Sequence, residues 1–143
     1  MNQIKLYQPL IDVAEEHAVI NTLRSKVWAS GGNPTKVSKF EKEFAEYLGV
    51  PNVIAVNSGT AALHLALSLH DIQDKEVIVP SLTFASTALA VKYNGGIPVF
   101  ADVDPTNLCM DPESVDRLIT PKTACIVPVH FAGCKAYTDY RSE

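Results

Sequence analysis

The chain has 143 residues, 47% of them hydrophobic and 20% charged, with a formal net charge of -4 from 12 basic and 16 acidic side chains. That is the length and composition of one globular domain, which sets aside disordered, collagen-like and low-complexity classes. No apolar run reaches the ~18 residues of a membrane helix. The N-terminal MNQIKLYQPL lacks a basic stretch followed by an apolar one, so no secretory signal is expected. The expectation is therefore a cytoplasmic chain with no membrane partner. With no block of Lys or Arg, a nucleic-acid partner is not expected either.

Taken in chain order, Asp12 and Glu15 form a capping-box pair that opens a helix running to about Ala29. Gly31, Gly32 and Pro34 then break helical geometry. A second helix is predicted over 37–48, with Val37, Phe40, Phe44, Tyr47 and Leu48 on one face and Gly49 as its C-terminal cap. Beyond it, β-branched runs at Val53–Val56, Val77–Val79, Ile97–Phe100 and Ala124–Val129 alternate with helical segments that begin near Gly59, Phe84 and Pro112. That alternation predicts an α/β fold whose mostly parallel sheet is covered by helices, with two leading N-terminal helices. The division expected is a helical lead-in over 1–50 and an α/β portion over 51–143. The helix TAALHLALSLH is apolar nearly all round, which predicts burial, with His64 as a packed core residue. The pair Gly95–Gly96 marks a turn.

Three segments could carry chemistry. In VIAVNSGTAALHLAL a strand runs directly into Asn57-Ser58-Gly59-Thr60 and a helix. Unpaired N–H groups and the positive dipole end make such a start an anion site, phosphate above all. Gly59 admits close approach and Thr60 adds a hydroxyl donor. The structural alternative is a plain Ser58 N-cap. In VIVPSLTFASTALA, Phe84 falls at the C-terminal end of a strand, where ligands of open α/β sheets bind and an aromatic ring can stack on a planar group. The alternative is ordinary packing at a helix start. In ADVDPTNLCMD, Asp102 and Asp104 form a D-x-D pair, but the following Pro105-Thr106-Asn107 favours a capped turn over a metal site.

Cys109, Cys125 and Cys134 are odd in number and widely spaced, against a disulfide framework. Cys125, His130 and Cys134 lie close in sequence, yet Cys125 sits within an apolar run and reads as a small buried hydrophobe. No metal site is expected.

Together these segments resemble one family. N-S-G-T-A-A-L, V-P-S-L-T-F-A-S-T, F-A-D-V-D-P and P-V-H-F-A-G occur in order, after S-G-G and F-E-K-E-F-A-E-Y-L-G. The chain resembles sugar aminotransferases of the DegT/DnrJ/StrS type, perosamine-synthase-like members in particular, from Leu10 to Gly133. The resemblance implies part of the large domain of a fold-type I enzyme that uses pyridoxal 5'-phosphate. It implies that Gly59, Thr60 and Ala61 bind the cofactor phosphate and that Phe84 stacks on the pyridine ring. It gives His130 no chemical role.

The implied activity moves an amino group, from glutamate, to a nucleotide-linked keto sugar in polysaccharide or lipopolysaccharide biosynthesis, within a homodimer. Family members are more than twice this length, and their Schiff-base lysine, ring-nitrogen acid and second phosphate serine lie downstream of this chain's end. The nine lysines here fall on helix surfaces, turns and the two ends, so no catalytic residue is assigned and the chain alone is expected to be inactive. The alternative readings are a non-catalytic binder of phosphate or nucleotide sugar and one half of a split enzyme.

Overall fold

The computed structural model describes residues 8–29 and 35–140. The expected breaker cluster Gly31, Gly32 and Pro34 lies outside them. The chain divides into two compact units, Met1–Ala55 and Val56–Glu143.

The first unit carries helices α1 (Val13–Ser25) and α2 (Lys36–Leu48). Asp12 caps α1 as its sequence predicts: its carboxylate accepts from the Ala14 N–H at 2.7 Å, and the Glu15 carboxylate accepts from the Asp12 N–H at 2.8 Å. The helix ends sooner than expected. Ser25 Oγ donates to the Thr22 carbonyl and accepts from the Val27 N–H, and the Trp28 indole donates to the Leu23 carbonyl. These side chains take over the last turn's backbone groups, and Lys26 closes it in the left-handed region at φ 58°. Gly49 ends α2 at φ 67°, where a residue without a Cβ is favoured.

Residues 53–56, expected as a strand, form none. Strand ladders need a neighbour, and among the described residues this segment has no partner strand; the Ala55 N–H donates instead to the Glu41 carboxylate at 2.9 Å.

The second unit is the α/β core. In order it holds α3 (Gly59–Ser68), β1 (Glu76–Pro80), α4 (Ser86–Tyr93), β2 (Ile97–Ala101), α5 (Pro112–Leu118), β3 (Thr123–Ile126) and a 3-10 turn at Phe131–Gly133. The strands form one parallel sheet in the order β2-β1-β3. The helix after Phe84 starts two residues later than expected, and β3 stops at Ile126 rather than Val129.

Alternation along the strands sorts side chains into two layers. Val77 and Val79 pack with Leu67, Ile72, Ala90 and Val91 on the α3–α4 side. Ile78 packs with Ala101, Met110 and Val115 on the α5 side. Helices therefore cover both faces, which is why β1 reads as an unbroken apolar run. Pro98 is tolerated because β2 is an edge strand. Gly96 closes the turn after α4 against the core: a Cβ there would lie 2.8 Å from Val91 Cγ1 and 3.3 Å from the Ile72 carbonyl.

The α3 helix departs from expectation. Of its residues only Leu67 is buried, while Leu65 and Leu69 are 44% and 79% exposed. His64 is exposed as well, its ring tilted against Tyr93 at 5.8 Å. An all-apolar helix needs cover all round, and α4 with the sheet supplies it on one side.

Ile78→Val, at a fully buried β1 position, is expected to lower stability by about 0.5–1.5 kcal/mol. Leu69→Ala is expected to stay within about 0.5 kcal/mol of the parent chain, as at an exposed site. Urea denaturation of the three proteins, followed by circular dichroism, checks both.

Candidate functional site

The N-terminus of α3 is built by Ser58. Its extended backbone turns the chain into the helix, and its Oγ accepts from the Ala61 N–H at 3.1 Å, while its carbonyl accepts from Ala62 at 3.0 Å. The plain N-cap reading is thus correct as far as it goes, but it engages only these N–H groups. Among the described residues the Gly59 and Thr60 N–H groups have no intramolecular partner. They remain as donors at the positive end of the helix, next to the Thr60 hydroxyl.

The surroundings are open. A Cβ built on Gly59 would meet nothing within 4 Å, so an anion has access to the backbone here. Gly59 is exposed and Thr60 and Ala61 are half-buried.

Phe84 lies in the loop between β1 and α4, off the C-terminal end of the central strand, and is 77% exposed. It does not pack at a helix start; a large aromatic is instead held out from the strand end. The loop itself is ordered by the Phe84 carbonyl, which accepts from the Thr87 N–H at 3.0 Å, and by a 2.8 Å hydrogen bond between the Thr83 and Thr87 hydroxyls. No ring contact or hydrogen bond joins Phe84 to Gly59, Thr60 or Ala61 among the described residues.

What relates the two segments is the packing of α3 on α4. Asn94, missed in reading the sequence, fastens that pair: its Nδ2 donates to the His64 carbonyl at 3.1 Å and to the Ala90 carbonyl at 2.9 Å. An Asn just after a helix and before Gly95–Gly96 was the available signal.

The other candidate residues settle into structural roles. The Asp104 carboxylate accepts from the Thr106 hydroxyl at 2.6 Å and the Thr106 N–H at 2.7 Å, the capped turn expected of D-V-D-P. His130 Nδ1 accepts from the Ala136 N–H at 3.0 Å, which places the proton of a neutral ring on Nε2. Cys125 packs against the α3–α4 layer, and burial pushes its thiol above the ordinary range. Among the described residues no three His, Cys, Asp or Glu side chains converge as metal ligands. A cavity of about 340 Å³ lies beside β3 and is lined by Cys125, Thr138 and Tyr140 among others. It borders the outer edge of the sheet and includes none of the anion-site residues.

Residues 9–139 match the DegT/DnrJ/EryC1/StrS aminotransferase family, six residues beyond the Gly133 at which the resemblance was expected to fade. The spore coat polysaccharide biosynthesis protein SpsC of Bacillus subtilis is 48% identical over 126 residues, covering 87% of this chain and 32% of SpsC. GDP-perosamine synthase of Caulobacter vibrioides is 42% identical, covering 92% of this chain and 35% of that protein. The solved structure of E. coli GDP-4-keto-6-deoxy-D-mannose-3-dehydratase with bound hydrated PLP superposes with a TM-score of 0.81 at 26% identity, over 93% of this chain and 35% of that one. The chain thus spans about a third of the length of these relatives. Among the described residues no helix is long and apolar enough to cross a membrane.

The Thr106 hydroxyl, and then its N–H, hold the Asp104 carboxyl below its ordinary value of 3.8. A depressed folded-state pKa stabilises the fold above the unfolded value, and that contribution is lost as pH falls through the folded one. Carboxyl NMR titration is expected to show Asp104 titrating below 3.8, and Thr106→Val is expected to return it upward. A titration unchanged by the substitution would contradict the capped turn.

Proposed function

This chain belongs to the DegT/DnrJ/EryC1/StrS aminotransferase family, and on that premise we propose that it supplies the phosphate cup and the stacking aromatic of a PLP-dependent sugar aminotransferase. The single observation that carries this reading is the start of α3, where, among the described residues, the Gly59 and Thr60 N–H groups keep no intramolecular partner after the Ser58 cap is satisfied and Gly59 borders open space. Family members are PLP-dependent, and the donor set at Gly59 and Thr60 fits a phosphate dianion. The Ala61 N–H is held by Ser58 Oγ, so its proposed share in the cup is its place in the first turn of α3.

When bound, the pyridoxal ring supplies an electron sink for moving an amino group. The chain's own residues bind and orient. The Gly59 and Thr60 N–H groups and the Thr60 hydroxyl fix the phosphate, and the helix dipole adds to its binding. Phe84, held out beyond β1 by the Thr83–Thr87 bond, presents a ring face to a planar heterocycle. The substrate we propose is a nucleotide-linked keto sugar, with glutamate as amino donor and polysaccharide or lipopolysaccharide precursors as products. The names of GDP-perosamine synthase and of the GDP-keto-sugar dehydratase support that class. A cytoplasmic homodimer is the assembly proposed with it.

We infer that these 143 residues do not themselves carry the lysine that would hold the cofactor covalently; Lys5 lies outside the described residues. Lys39, Lys42 and Lys75 are paired with Glu43, Glu46 and Asp71 on exposed surfaces. Lys26 caps α1, Lys36 opens α2, Lys92 falls in the last turn of α4, Lys122 is an exposed turn residue and Lys135 is exposed in irregular chain. The expected behaviour of the chain alone is reversible, non-covalent binding of PLP without transamination.

Absorbance titration with PLP tests this. Thr60→Val is expected to weaken binding by about 1.5–3 kcal/mol, the range for a hydrogen bond to a charged group, and Phe84→Ala is expected to weaken it further. Borohydride reduction and peptide mapping are expected to find no stoichiometric pyridoxyl-lysine. One such lysine in this chain, together with turnover of a keto sugar, would overturn the assignment of inactivity. Binding indifferent to both substitutions would overturn the site.

A further inference from the structure

We propose that Cys109 and Cys134 are a reversible thiol–disulfide pair that fastens the turn after β3 to the hairpin after β2. The two residues are 25 apart in sequence, yet Cys109 Sγ donates to the Cys134 carbonyl oxygen at 3.4 Å. That oxygen is about 2.4 Å from its own Cα by standard backbone dimensions. The Cys109 sulfur therefore stands within about 6 Å of the Cys134 Cα, and the bond forms if the exposed Cys134 side chain turns toward it.

Both backbones are held in place. Cys109 follows Leu108, which is in the left-handed region at φ 60°. Its N–H donates to Asn107 Oδ1 at 2.8 Å and its carbonyl accepts from the Asp104 N–H at 2.9 Å. Cys134 follows Gly133 at φ 82°, and its N–H donates to the Phe131 carbonyl at 2.9 Å. The third thiol, Cys125, packs against the α3–α4 layer and, among the described residues, makes no hydrogen bond with Cys109 or Cys134.

The division of exposure suits a two-step exchange. Cys134 is exposed and meets the oxidant; Cys109 is buried and resolves. With a small disulfide such as oxidised glutathione, the Cys134 thiolate attacks one sulfur, the S–S bond breaks, and one glutathione thiolate leaves and takes a proton. The Cys109 thiol then gives up its proton and attacks Cys134 Sγ, expelling the second glutathione. Two protein thiols are oxidised, one small disulfide is reduced to two thiols, and a dithiol reverses the reaction.

The test is oxidation of the whole chain with excess oxidised glutathione, then alkylation and non-reducing peptide mapping, with and without urea. In the unfolded chain, loop closure favours Cys125–Cys134, nine residues apart, over Cys109–Cys134 by about fivefold, from the three-halves power of loop length. Under native conditions the expected product is the reverse: a Cys109–Cys134 linkage with Cys125 still alkylatable, removed by dithiothreitol. Cys125→Ser is expected to leave that linkage intact, and Cys109→Ser to trap glutathione on Cys134. Native oxidation that gives mainly Cys125–Cys134, that halts at a mixed disulfide on Cys134 in the unsubstituted chain, or that consumes no thiols would overturn the proposal.

Discussion

Val77, Ile78 and Val79 have no exposed surface, and the rest of the α/β unit is arranged around them. They occupy the central strand, hydrogen-bonded in parallel to β2 on one side and β3 on the other. Such a strand satisfies its backbone only if both neighbours are in register, and its side chains only if helices lie on both faces. The odd positions take α3 and α4; the even position takes α5. The ladder continues past the strand ends, with the Ser81 N–H donating to the Ala101 carbonyl and the Val127 N–H to the Ile78 carbonyl. This rigid centre fixes where the loop bearing Phe84 leaves the sheet.

The candidate site is a consequence of that placement. A helix start attracts anions wherever it is, but its usefulness depends on which donors the cap leaves over. Ser58 takes one N–H with its side chain and another with its carbonyl. What remains, among the described residues, are the Gly59 and Thr60 N–H groups, and a Cβ at Gly59 would meet nothing within 4 Å. The Asn94 amide then couples this helix to α4 through two carbonyls, one on each helix. A single side chain so links the elements that bear the two halves of the proposed cofactor site.

The D-x-D segment illustrates how local chemistry can settle a choice. Two carboxylates near a strand end could hold a cation. Here the Asp104 carboxylate is already engaged by the Thr106 hydroxyl and N–H. Turn residues that follow at once compete for the carboxylate at short range and need no ordering of distant groups.

Much of this was legible from the residues in order. Capping at Asp12, Gly49 and Ser58, the turn at Asp104, the three parallel strands and the family motifs each depend on neighbours within a few positions or on a simple period, so composition and spacing determine them. Other features depend on what comes to lie alongside. Residues 53–56 are as β-branched as a strand requires, but a strand exists only where another backbone pairs with it. The helix from Gly59 is apolar nearly all round, yet cover on one side leaves Leu65, Leu69 and His64 exposed. Ser25 and Trp28 end α1 early by side-chain bonds that no periodicity signals. The approach of Cys109 to Cys134 across 25 residues is of the same kind. Local hydrogen bonds and periodic burial are written along the chain, whereas pairing, exposure and the meeting of distant side chains are decided only when the elements pack.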